Sequence, residues 1–267
     1  MKSIKELEKL GLGALEVSRE VILKYWGTDL EIELKGDDSP VTIADTSAER
    51  AVREWVKTQM PEAGFVGEEY GVENTEADYQ WVIDPIDGTK SFMRGVPLFG
   101  TLLAIYYKGK CVFGAIDLPA LGNTLHATEG GGAWLDGKLT KVSSTKTLGE
   151  SLLLTGTVNT FDETKYGPSF HKLRKEFNLH RGWGDAYGYF LVACGRADAM
   201  LDPIVSLWDV APFPVIFREA GGNWSDLSGE SQILESLQNG GKLGSDDRTS
   251  LASNGLIHSE ILEKINK

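Results

Sequence analysis

Residues 81–95 read WVIDPIDGTKSFMRG. The apolar run Trp81-Val82-Ile83 meets an acid at Asp84. Pro85 interrupts the ladder, a second acid stands at Asp87, and Gly88-Thr89 opens a turn. The pattern predicts a buried strand ending in two carboxylates, followed by a turn whose backbone can approach an anion closely. Carboxylate oxygens at a strand end suit a hard cation such as Mg²⁺, and free N–H groups beyond them suit phosphate. The same residues also spell Asp-Pro-x-Asp-Gly, an acidic β-turn common in surface loops. The flanking sequence has to decide between the two.

Upstream, Ile4, Leu7, Leu10, Leu15, Ile22 and Tyr25 recur at helical spacing among Lys and Glu. They predict an amphipathic helix over 3–26, bent near Gly11 and Gly13. Residues 35–40 read as a polar, turn-prone connector. Beyond Val41–Asp45, the run Ala48, Ala51, Val52, Trp55, Val56 and Met60 predicts a second helix with Asp45 or Thr46 at its N-cap. Phe65–Gly67 predicts a short strand ending in Glu68-Glu69. Strand neighbours point to opposite faces, so at most one of these two acids is expected to face the site. An acidic loop is expected over 74–78.

Downstream, strands are predicted at 99–107, 111–118, 124–128 and 133–135. Gly130–Gly132 reads as a tight hairpin turn rather than a phosphate cradle, because no Lys-Ser/Thr opens a helix after it. Past 140–150 the alternation changes. Strands are predicted at 151–155, 179–182, 199–202 and 251–253, and helices at 165–176, 186–194, 208–220 and 257–265. Gly221-Gly222 closes the helix over 208–220. The chain thus divides into an α+β half, 1–145, and an α/β half, 146–267, within one compact unit.

A formal net charge of −12 argues against nucleic acid as a partner, because phosphate backbones need Lys/Arg surfaces. The N-terminus is charged and amphipathic rather than a signal sequence. No apolar run approaches the roughly 18 residues of a spanning helix. A cytoplasmic protein without a membrane partner is the expectation. Cys111 and Cys194 fall in apolar stretches without metal-ligand spacing, and read as buried free thiols of a reducing compartment.

Asp45, Glu68, Asp84, Asp87 and Asp209 each sit at a predicted strand end or helix start. Read alone, Asp209 is an N-cap. Together with their neighbours they form Val41-Thr42-x-x-Asp45, Gly67-Glu68-Glu69, Trp81–Thr89, Trp208-Asp209-Val210-Ala211 and Glu219-Ala220-Gly221-Gly222. In this order, and spread over most of the chain, these motifs resemble the inositol monophosphatase superfamily of Mg²⁺-dependent phosphomonoesterases. The resemblance implies a layered α-β-α-β-α sandwich of the sugar phosphatase type. It implies Glu68, Asp84, Asp87 and the Ile86 carbonyl as metal ligands from the first half, and Asp209 from the second. The ions would be two or three Mg²⁺, with Mn²⁺ a substitute. Thr89, polarised by Asp45, would position the attacking water beside Glu68, and the Gly88 and Thr89 amides would hold phosphate. A homodimer is implied as well.

The chemistry is consistent with this ligand set. A phosphomonoester dianion repels hydroxide, so hydrolysis needs charge neutralisation and an in-line nucleophile. Paired divalent cations can bind the phosphate oxygens, acidify a water and stabilise the leaving alkoxide. Ile86 can contribute only its carbonyl, since an apolar side chain does not bind a hard cation.

Substrate choice falls on residues 181–189. Gly184-Asp185-x-x-Gly188-Tyr189 resembles the histidinol-phosphate phosphatase branch, whereas inositol-specific members carry a small uncharged residue where Asp185 stands. Asp202 matches the position that contacts the leaving group in the family. L-Histidinol phosphate carries an ammonium and a titratable imidazole, and acids at 185 and 202 would give it charge-assisted hydrogen bonds. Asp185 as a plain helix cap is the alternative. Lys90 either approaches the phosphate or is simply solvated, and a Lys there is shared with bisphosphate nucleotidases. The expected function is a Mg²⁺-dependent phosphomonoesterase that hydrolyses L-histidinol phosphate to L-histidinol and phosphate in histidine biosynthesis. A metal-activated water would attack phosphorus in line. The alternatives are an inositol-1-monophosphatase or broader sugar or nucleotide 3′-phosphatase, and a non-catalytic regulatory binding protein on the same scaffold.

Overall fold

The computed structural model describes residues 1–28, 32–34, 40–231 and 249–267, so most of the connector expected at 35–40 lies outside the described residues. In chain order the first half supplies α1 (Ile4–Tyr25), β1 (Ile32–Leu34), β2 (Pro40–Thr42), α2 (Ile43–Gln59), β3 (Gly64–Gly67), β4 (Gly71–Glu73) and β5 (Tyr79–Asp87). It continues with α3 (Thr89–Met93), β6 (Gly100–Tyr107), β7 (Lys110–Leu118), β8 (Asn123–Thr128), β9 (Gly132–Leu135) and β10 (Lys138–Thr140). The second half supplies β11 (Leu152–Thr155), α4 (Asn159–Asp162), α5 (Gly167–Leu173), β12 (Leu179–Arg181), α6 (Asp185–Ala193) and β13 (Ala199–Asp202). It closes with α7 (Leu207–Val210), α8 (Phe213–Ala220), β14 (Asn223–Ser225), β15 (Ser250–Ser253) and α9 (His258–Ile265).

Two sheets carry the architecture. The larger has eight strands in the order β10-β9-β8-β7-β6-β5-β3-β4, antiparallel throughout except for the parallel pair β3–β5. The smaller has the order β12-β11-β13-β15-β14, with β11 parallel to both its neighbours. Side chains alternate across each strand, and this sorts the core into layers. From β5 and β6, Trp81, Ile83, Leu103 and Ile105 face α1 and α2, where Leu7, Leu15, Val52 and Val56 cover them. Val82, Leu102, Ala104 and Tyr106 face the other way, onto α6 and α8. These helices are apolar on both sides and also meet Leu154, Met200 and Ala252 of the smaller sheet. The far side of that sheet, through Leu153, Ala199 and Leu201, packs under α4, α5 and α9. The result is the α-β-α-β-α sandwich that the resemblance implies.

Several local expectations are corrected. α1 runs unbroken, and its glycines serve close packing: a Cβ on Gly11 would lie 2.2 Å from the Phe113 ring, and one on Gly13 2.7 Å from Trp55. The helix expected over 208–220 splits into α7 and α8, because Pro212 has no N–H to continue the ladder. The helix expected over 165–176 shortens to α5, preceded by the single turn α4. The short strands β4, β10 and β14 were not foreseen. Cys111 is buried and Cys194 half-buried, and both are free thiols.

Candidate active site

On an unbroken strand, residues three apart face opposite sides of the sheet. Asp84 and Asp87 escape that rule. Asp84 pairs with Leu102 but Asp87 with Gly100, so three steps along β5 match two along β6. The extra residue is a β-bulge at Pro85, which has no N–H to lose, and it returns both carboxylates to one side. The strand therefore continues through Pro85 and ends at Asp87, with the bulge where the proline was expected to interrupt the ladder. Thr101 fixes the bulge by donating to the Pro85 carbonyl at 2.8 Å, and Ser18 of α1 stands 3.2 Å behind it. The Ile86 amide donates to Asp84 Oδ1 at 2.9 Å.

Gly88 turns the chain at φ 89°, a left-handed conformation open to glycine. Its carbonyl accepts from Ser91 and Phe92 and starts α3. A Cβ there would sit 3.2 Å from both Asp185 Oδ2 and the Leu98 carbonyl. The Thr89 hydroxyl donates to the Ile86 carbonyl at 3.0 Å. A hydroxyl has one proton to give, so in this structure it is not donated to Asp45 as the resemblance implies. Lys90 is exposed at the edge of the site, and its charge acts on Asp185.

Asp45 and Asp209 are not N-caps. The N-cap of α2 is Thr42, whose amide and hydroxyl both donate to Asp45 Oδ2, at 2.9 and 2.6 Å. The N-cap of α7 is Ser206, whose amide donates to Asp209 Oδ2 at 2.7 Å. Each acid is the reciprocal member of a capping box, a pattern legible in Thr42-x-x-Asp45 and Ser206-x-x-Asp209. Each box ties up one carboxylate oxygen. Asp45 Oδ1 is buried and has no hydrogen-bond partner. Glu68 lies in the turn after β3, not on the strand, so strand alternation does not decide its direction.

The electrostatics gather these acids together. Burial pushes the Asp84 carboxyl well above the usual range, reinforced by the charges of Glu68, Asp87 and Asp209. A side-chain hydrogen bond between Asp84 and Glu68 adds to this, with the raised Asp84 carboxyl donating. Asp87 is raised by burial and then by Asp185, Asp209, Asp202 and Glu68. Burial lifts Asp45 to about 6, with Glu68 adding to the shift. Among the described residues no three of these groups already converge at metal-ligand spacing. The donor chemistry nonetheless fits a hard divalent cation. The donors are all oxygens, and they repel one another in a desolvated cluster that a cation would neutralise.

Asp185 and Asp202 join the same cluster from the second half. Burial raises both, Asp202 to about 8, and the Asp185 charge contributes to that rise. Asp202 accepts from the Gly156 amide at 3.3 Å and from the Tyr189 hydroxyl at 2.9 Å. Asp185 opens α6 at φ 54°, while Gly184 makes no side-chain cap. Gly156 carries no signal in its own sequence, whereas Tyr189 stands in the Gly184–Tyr189 motif and proves to be the partner of Asp202.

The whole chain finds relatives among known proteins. Residues 4–267 match the model of the inositol monophosphatase family. The histidinol-phosphatase of Chlorobaculum parvum is 38% identical over 85% of this chain and 88% of its own. That of Mycobacterium tuberculosis is 34% identical over 91% of each. Among solved structures, the Thermotoga maritima IMPase superposes with a TM-score of 0.82 at 30% identity, covering 96% of this chain and 94% of that one. The chain belongs to the inositol monophosphatase family. It is a phosphoric monoester hydrolase of a metal-dependent family that acts on small phosphomonoesters. Among the described residues no helix is long and apolar enough to cross a membrane.

Proposed function

We propose that the chain is a Mg²⁺-dependent histidinol-phosphatase, hydrolysing L-histidinol phosphate to L-histidinol and phosphate. The observation that carries this reading is the acid pair Asp185–Asp202 beside the phosphate turn: burial raises both, the Asp185 charge adds to the rise of Asp202, and Lys90 offsets part of that of Asp185. A neutral polyol offers nothing to offset the cost of ionising two buried acids, whereas a substrate ammonium or imidazolium would draw both into their charged form through charge-assisted hydrogen bonds. The two similar histidinol-phosphatases support the same reading.

Glu68, Asp84, Asp87, the Ile86 carbonyl and Asp209 would hold Mg²⁺, or Mn²⁺ by its like preference for oxygen. Bound there, the cation would neutralise phosphate charge, acidify a water and stabilise the leaving alkoxide. The chain's own groups do the rest. The Gly88 and Thr89 amides hold phosphate oxygens, and the Thr89 hydroxyl, once released by the Ile86 carbonyl, orients the water in line. Asp45 Oδ1, buried without a partner, accepts that hydroxyl's hydrogen bond and fixes its direction.

Hydrolysis of inositol-1-phosphate is a second reading. A carboxyl held at about 8, as Asp202 is, can be protonated and so hydrogen-bond a neutral hydroxyl. Asp185→Asn and Asp202→Asn separate the two. Loss of a charge-assisted bond is worth about 1.5–3 kcal/mol, so kcat/KM on histidinol phosphate should fall at least about tenfold. Inositol-1-phosphate turnover should change far less. Equal losses on both substrates, or none on histidinol phosphate, would overturn the proposal.

A further inference from the structure

Glu49 is a carboxylate with no solvent exposure, lying one helical turn after Asp45 on α2. Burying a carboxylate is costly unless its oxygens are fully engaged, and these are engaged outside the helix. Oε2 accepts from the Glu69 amide at 2.8 Å, and Oε1 accepts from the Tyr70 amide at 3.2 Å and from Arg53 Nε at 2.8 Å. Both amides belong to the turn that follows Glu68. Arg53 closes the assembly: its guanidinium donates to the Gly71 carbonyl beyond the turn and stacks 4.3 Å above the Phe65 ring before it. Gly67 completes the fit, since a Cβ there would lie 2.0 Å from Glu49 Oε1. The whole turn from Gly67 to Gly71 is therefore moulded around one side chain.

We infer that Glu49, braced by Arg53, is a positioning residue that fixes the backbone on either side of Glu68 and so aims its carboxylate at Asp84. The inference rests on the reading of Glu68 as a metal ligand. Groups that orient a ligand are worth about 10–100-fold in metal affinity. Gln at 49 keeps the shape but sets an amide NH₂ against one of its N–H donors, which leaves the turn without its anchor on that side.

The test compares wild type with Glu49→Gln, Arg53→Met and Glu68→Gln. Two quantities are measured: the Mg²⁺ concentration giving half-maximal activity, and the Mn²⁺ dissociation constant by electron paramagnetic resonance without substrate. Glu49→Gln should raise both about tenfold, while KM for substrate at saturating metal stays near wild type. A Glu49→Gln protein that melts lower yet binds metal as wild type does would overturn the inference, leaving Glu49 a structural group only. Should Glu49→Gln fail to fold, Arg53→Met carries the test, with a shift of about threefold in the same direction expected and no shift contradicting it. Glu68→Gln separates the two layers of the argument. If it leaves metal affinity unchanged, Glu68 is no ligand and both readings fall. If it weakens metal binding while Glu49→Gln and Arg53→Met do not, only the inference falls.

Discussion

At the residue scale the candidate site is centred on two carboxylates that regular strand geometry would send to opposite faces. Asp84 and Asp87 were visible in the sequence as acids at a strand end. Their shared side was not, because it comes from the pairing of β5 with Leu102 and Gly100, well outside the motif. Asp87 is raised by burial and by four neighbouring acids, so replacing it removes both a candidate ligand and a source of repulsion. Asp87→Asn should lower kcat by at least about a thousandfold. The metal-free variant should melt no lower than wild type, as measured by calorimetry beside an activity assay. Near-normal turnover at saturating Mg²⁺ would remove Asp87 from the ligand set.

At the element scale, caps and their partners explain where helices begin and what their first acids do. Thr42-x-x-Asp45 and Ser206-x-x-Asp209 were legible as capping boxes. Reading the acid itself as the cap missed this, because an N-cap Asp and an N3 Asp look alike until the helix start is known. A different anchor holds α9. The buried His258 lies 2.9 Å from the Ser253 hydroxyl through Nδ1 and 3.0 Å from the Ser225 hydroxyl through Nε2. Ser225 spends its proton on the Asp226 carbonyl, so it accepts from Nε2–H, and Ser253 must donate to Nδ1. That arrangement holds only the neutral ring, and burial pushes the His258 pKa down to about 4. The unfolded chain takes up this proton near pH 6.5. Stability is therefore intact above about 6.5 and falls as pH drops towards about 4, by at most about 3 kcal/mol from this group. In urea titrations between pH 7 and 4.5, His258→Gln should be less stable than wild type at neutral pH and should flatten this decline. Parallel curves for the two proteins would show that His258 does not titrate on unfolding.

At the scale of the whole molecule, the five layers were implied by the resemblance and not by periodicity, because β5 to β7 are buried on both faces and read as nearly continuous apolar runs. β4 and β10 stayed hidden because three mostly exposed residues carry no periodicity, and β14 because three residues are too few. The candidate ligand acids could be read from motifs. Their meeting with Asp185 and Asp202 was implied only by the resemblance, since no spacing in the sequence places residues 185 and 202 beside Asp87 and Gly88. The second half brings two acids, Asp185 and Asp202, to the candidate site, and the proposed substrate follows from them. Steady-state kinetics of the wild-type protein with Mg²⁺ on histidinol phosphate and inositol-1-phosphate measures this most directly. A site built to pair with a cationic leaving group should favour histidinol phosphate in kcat/KM by at least about a hundredfold. Equal values, or a preference for inositol-1-phosphate, would contradict it.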